Sequence, residues 1–95
     1  MKNQYYIVRT YRAGVFFGQI KSKTETSVIM TDVRKLFSWS GAAAVEQLAE
    51  DGTANPTGCK FTLSVQEMEL ASWLQIIPCT EKAEQSIKAV KEWKI

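Results

Sequence analysis

The sequence predicts an α+β domain: a curled five-stranded antiparallel sheet with one inserted helix and one C-terminal helix, in the order βββ-α-ββ-α. Three observations carry this. Runs of β-branched and aromatic residues recur between Gly and polar turns up to Trp39. The composition then switches to Ala-rich helical sequence after Ser40. A last segment opens on Thr80 with Glu81 and Glu84 at its start and Lys91 and Lys94 towards its end, the charge order a helix dipole favours.

Residues 5–12 are rich in β-formers, Ala13-Gly14 makes a turn, and residues 15–21 form the second strand of a hairpin. Gly18 inside that strand predicts a bend or bulge of the kind that lets a small sheet curl. After a polar turn over 22–26, residues 27–31 start a third strand that continues past Asp32 towards Trp39. The helix over 41–50 puts Ala44, Val45, Leu48 and Ala49 on one face, with Ser40 as N-cap and Gly52 as stop. A loop over 53–58 leads to a half-buried strand over 59–65, read from its alternation. In the following segment, Pro78 closing an Ile-Ile run favours a strand over at least 72–77. The final helix, capped by Thr80, buries Ala83, Ile87 and Val90.

Ninety-five residues fit one domain, and a hydrophobic content of 45% supports a packed core. A net charge of only +2 is far from the basic balance of a nonspecific nucleic-acid binder, so any anion site must be local. There is no apolar run of about 18 residues and no basic start followed by an apolar stretch, so no membrane span or signal peptide is expected. The expected location is the cytoplasm.

The chain has no histidine, and Cys59 and Cys79 lack CxxC spacing, which removes the usual zinc, haem and His-based catalytic sites. Both thiols read as small apolar fillers rather than a disulfide. Ser40 has no histidine to activate it, and Asp32, Glu46, Asp51 and Glu67 form no recognisable catalytic pair or metal cluster. No enzyme and no cofactor is expected.

What remains is binding. The stretch 34–42 packs Arg34, Lys35, Phe37 and Trp39 next to Ser40-Gly41, a combination suited to holding a flat anionic ligand. On a strand, Phe37 and Trp39 share one face while Arg34, Leu36 and Ser38 share the other. In the functional reading a ring stacks on a base and the amides of Ser40 and Gly41 meet a phosphate at a helix start. The competing reading makes both rings core. Arg9, Arg12 and Lys60 are the further cations expected at such a site, with Tyr11 alternating beside Arg9 and with Asn55 in a loop that could close over a ligand. The competing reading of each cation is a solvated surface charge.

The first part of the chain resembles Sm-like and SH3-like small barrels, in the bent Gly18-Gln19-Ile20 strand followed by the apolar Val28-Ile29-Met30. The inserted and terminal helices depart from that pattern, so ring formation and RNA binding do not carry over. Nearly the whole chain, through Ile7-Val8-Arg9-Thr10-Tyr11, Trp39-Ser40-Gly41-Ala42, Gly58-Cys59-Lys60-Phe61 and Ile76-Ile77-Pro78, resembles a family of small uncharacterised proteins of phages and prophages. That resemblance implies a setting in which small proteins disable host defence. The expected function is a non-enzymatic anti-defence protein that sequesters a small nucleotide-type immune signal, such as a cyclic nucleotide or an ADP-ribose-like molecule. The alternatives are an inhibitor of a host defence protein acting through a protein interface, a small nucleic-acid-binding module, or a virion component. Ring-bearing strand edges in so small a sheet further predict a homo-oligomer.

Overall fold

The structure is a computed structural model in which residues 3–95 are described. Its elements are β1 (Tyr6–Thr10), β2 (Val15–Lys23), β3 (Ser27–Ser38), α1 (Val45–Asp51), a 3-10 turn (Pro56–Gly58), β4 (Lys60–Phe61), β5 (Val65–Ala71), β6 (Trp73–Pro78) and α2 (Glu81–Ala89). The class and the succession βββ-α-ββ-α agree with the sequence reading, with six antiparallel strands where the sequence predicts five. The expected strand over 59–65 is interrupted at Thr62, whose N–H still donates to the Lys35 carbonyl at 3.0 Å but whose other groups leave the regular ladder. Its carbonyl accepts from Arg34 Nε at 2.8 Å, and its hydroxyl accepts from the Lys35 N–H at 2.9 Å.

β1, β2 and β3 form an antiparallel meander. β5 pairs with β3 and β6 pairs with β1, on opposite sides of that meander. The single run from Val65 to Pro78 manages both because it turns at Ser72, whose φ of 59° lies in the left-handed region. The sheet therefore curls. The bend expected at Gly18 is present as a register shift between Phe17 and Gln19, opposite Asp32, whose φ is 47°. A Cβ on Gly18 would lie 2.9 Å from both the Thr31 carbonyl and the Val33 Cα, so β3 crosses here only over a bare backbone.

Curling buries both faces of the sheet, and the period of two sorts the side chains between them. Tyr5, Ile7, Phe17 and Leu36 pack with Leu48 and Ala49 of α1, Ala83 and Ile87 of α2, and Phe61. Val8 and Phe16, next to Ile7 and Phe17, and Val33, three residues before Leu36, turn the other way, into a second cluster with Val28, Met30 and Leu70. Each such side chain contributes roughly 1.5–3 kcal/mol on full burial. Cys59 and Cys79 are free and buried, in keeping with their reading as fillers.

The helix termini divide the sequence expectations. Thr80 caps α2 as predicted, its hydroxyl accepting from the Ala83 N–H at 3.1 Å. α2 then stops at Ala89, so Lys91 and Lys94 lie beyond it and Lys88 alone is basic in its last turn. α1 begins at Val45 and not at Gly41, and its N-cap is Ala44 rather than Ser40. No side chain caps it, and Gln47 reaches back past the N-cap, its Oε1 accepting from the Ala43 N–H at 2.8 Å. Among the described residues no helix is long and apolar enough to cross a membrane.

Candidate functional site

Ser40 and Gly41 are occupied by a loop-to-loop lock. Asn55 donates from Nδ2 to Ser40 Oγ at 2.9 Å, Thr53 donates from its hydroxyl to the Ser40 carbonyl at 2.6 Å, and the Ala54 N–H donates to the Gly41 carbonyl at 3.1 Å. Gly41 has a φ of 80°, and a Cβ there would sit 2.4 Å from the Asn55 nitrogen. Its missing side chain makes room for this loop. The expected phosphate cradle at a helix start therefore has no counterpart, because no helix starts at Ser40-Gly41.

Arg34 is only 5% exposed and works inside the fold. Its Nε bonds Thr62 O, its Nη1 bonds Ile87 O at 3.0 Å and Val90 O at 3.1 Å, and its Nη2 bonds Phe61 O at 3.0 Å. Two of these carbonyls lie at the C-terminal end of α2, Ile87 O, which also accepts from the Val90 N–H at 3.2 Å, and Val90 O just past the helix, so the guanidinium caps that end. Burial lowers the Arg34 pKa, against the opposing charges of Glu92 and Asp32.

Phe37 and Trp39 part company. Trp39 lies past the end of β3 and is half-buried against the helix-side cluster. Phe37 is 54% exposed and stacks on Trp93, itself 45% exposed, with ring centroids 4.9 Å apart and planes at 23°. Trp93 is held there by its main chain, its N–H donating to Phe61 O at 2.8 Å while the adjoining Glu92 bridges Phe61 in parallel. Lys60 Nζ stands 5.5 Å from the Trp93 ring centroid. A cleft of about 480 Å³ opens beside this group, lined by Pro56, Thr57, Cys59, Lys91, Glu92 and Trp93 among others. Two exposed rings with lysines at their rim can stack a flat group and pair with an anion.

Phe37 and Lys60 are thus brought together, with Trp93 completing the group. Trp93 escapes the sequence reading because it trails a helix and has no strand alternation. A ring between Lys91 and Lys94 was the available signal, the same mixture that singles out Phe37. Tyr11 and Arg12 belong to the β1–β2 turn, where the Arg12 guanidinium lies 5.5 Å from the Tyr11 ring centroid. Lys35 lies over Phe16 at 5.9 Å, and Arg9 is exposed on β1 between Val15 and Gln75.

A second polar group lies where α2 crosses the sheet. The Tyr5 hydroxyl donates to Asp32, and Lys88 Nζ sits 3.9 Å from the Tyr5 ring centroid while bonding Glu84 at 3.0 Å. Burial and then the Asp32 bond raise the Tyr5 pKa. Among the described residues no His, Cys, Asp and Glu side chains cluster as a metal site would need.

This small curled sheet with two packed helices falls within a recognised family. The chain belongs to the family described as a domain of unknown function, DUF6948, whose sequence model matches residues 3–87. No curated protein and no solved structure matches the chain. The matched segment includes Phe37 and Lys60.

Proposed function

We propose that this protein is a non-enzymatic binding protein that holds a small nucleotide-type ligand, a cyclic nucleotide or an ADP-ribose-like molecule, on the Phe37–Trp93 face. The observation that supports this is a stacked ring pair left exposed beside Lys60 and the adjoining cleft, where the rings of Tyr5, Phe16, Phe17 and Phe61 are buried. A base stacks on the rings and phosphate charge meets Lys60 and Lys91. The likeness to phage and prophage proteins supplies the setting, sequestration of a host immune signal in the cytoplasm of the infected cell.

Titration of the purified protein with cyclic di-AMP and with ADP-ribose, followed by tryptophan fluorescence, tests this. Saturable binding of one probe is expected, with release of intact ligand on heating. Trp93→Ala or Lys60→Ala should weaken it about ten-fold, within the roughly 1–3 kcal/mol of one stacked base or a charge-assisted bond, at unchanged melting temperature. Recovery of a cleaved product, or affinity indifferent to Trp93, overturns the proposal. The same exposed ring pair also fits a hot spot for a host protein. Co-purification of a host protein with wild type but not with Trp93→Ala, without nucleotide binding, would favour that second reading.

A further inference from the structure

We propose that the outer edge of β6 is a self-association surface, on which two copies of this chain pair strand to strand about a two-fold axis. β6 is the last strand of the order β4-β3-β2-β1-β6 and pairs only with β1. The Cys79 N–H donates to Tyr5 O at 2.8 Å, and the register runs through Tyr6 opposite Pro78, Ile7 opposite Ile77 and Val8 opposite Ile76. Alternation in an antiparallel ladder then turns the main-chain groups of Ile77 towards β1 and those of Ile76 away from it. Among the described residues no backbone bond meets that outer side.

β5 also has an open edge, since it pairs only with β3, but the two edges differ in charge. β5 carries Glu67 and Glu69, so a second β5 laid against it would bring carboxylates together. β6, with the sequence Trp-Leu-Gln-Ile-Ile-Pro, carries no charge at all. Two of the exposed large apolar side chains flank its head. Leu74 is 53% exposed, and Tyr11, 66% exposed, is tied there by its N–H donating to Ser72 O at 2.9 Å. Such an uncharged edge with apolar neighbours is the kind that pairs.

Charge selects a second copy as the occupant. In an antiparallel two-fold pairing the head of one β6, next to Tyr11 and Arg12, lies beside the tail of the other. That tail runs from Pro78 into the first turn of α2, which carries Glu81 and Glu84. Basic thus meets acidic, and symmetry makes the contact twice.

Sedimentation equilibrium of the ligand-free protein at micromolar concentration should return the mass of two chains. Leu74→Arg, which sets like charges near the axis at an exposed position, should return one chain with unchanged circular dichroism. Arg12→Glu should weaken association about ten-fold, and adding Glu81→Arg should restore it. Exchange of the Ile76 amide should slow as concentration rises. A one-chain mass for wild type overturns the proposal, as does a dimer that survives both Leu74→Arg and Arg12→Glu. A mass above two chains overturns the two-fold in favour of head-to-tail pairing. Because no ligand is present, none of these outcomes bears on the Phe37–Trp93 face.

Discussion

Arg34 shows how one side chain can tie three segments together. Its bonds reach Phe61 in β4, Thr62 just after it, and Ile87 and Val90 at the end of α2, so its loss strips a donor from all four carbonyls and leaves Phe61 O only the Trp93 N–H and Ile87 O only the Val90 N–H. Arg34→Ala should cost about 3 kcal/mol or more in urea unfolding, and Arg34→Lys should recover little, because an ammonium lacks the planar fork that spans these acceptors. Trp39→Ala should likewise cost about 2 kcal/mol by opening space against the helix-side cluster, whereas Trp93→Ala should leave stability nearly unaltered. Cys79 gives a pH signature. Burial, then the charge of Glu84, pushes its thiol from 9.0 up to about 12. The folded state therefore keeps a proton that the unfolded chain releases, so this contribution is whole below pH 9.0 and is lost as pH rises through about 12. Thermal melts under reducing conditions should fall more steeply above pH 9.0 in wild type than in Cys79→Ala.

At the scale of elements, two irregularities curl the sheet. The bulge where Gly18 meets β3 bends the meander, and the left-handed Ser72 lets one continuous run serve both β3 and β1. Gly18→Ala would drive a Cβ into the backbone of Thr31 and Val33. It should cost about 2 kcal/mol and broaden the thermal transition, since the bend and the packing of Phe16 and Phe17 on opposite faces fail together. α1 is short and has no side-chain cap at Ala44, so its stability comes from packing Val45, Leu48 and Ala49 and from the lock over Ser40 and Gly41.

For the molecule as a whole, the core and the exposed ring pair of the proposed site separate along the chain. Neither core cluster includes a residue beyond Val90, while Trp93 supplies half of the exposed ring pair. Deleting residues 91–95 should therefore leave a cooperatively melting domain that no longer binds a nucleotide-type ligand, checked by calorimetry and fluorescence titration on the same sample. Retained binding by the truncated chain would move the site away from Trp93.

Local chemistry determined most of the framework from sequence alone. The hairpin at Ala13-Gly14, the bend at Gly18, the Thr80 cap and the buried faces of both helices, apart from Ala44, which is exposed ahead of α1, follow from propensity, periodicity and hydrogen-bonding groups within a few residues. Tertiary structure decided the rest, because the deciding partners are far apart in sequence. Phe37 and Trp39 differ in exposure because β3 ends between them at Ser38, and Ser40 is denied its cap role by Thr53 and Asn55. Arg34 became a buried cap because α2 ends above it, and Phe37 gained Trp93 because a C-terminal strap runs beside Phe61. A cation or a ring carries the same local chemistry in a core, a cap or an open face, and only the packing of distant segments chooses among them.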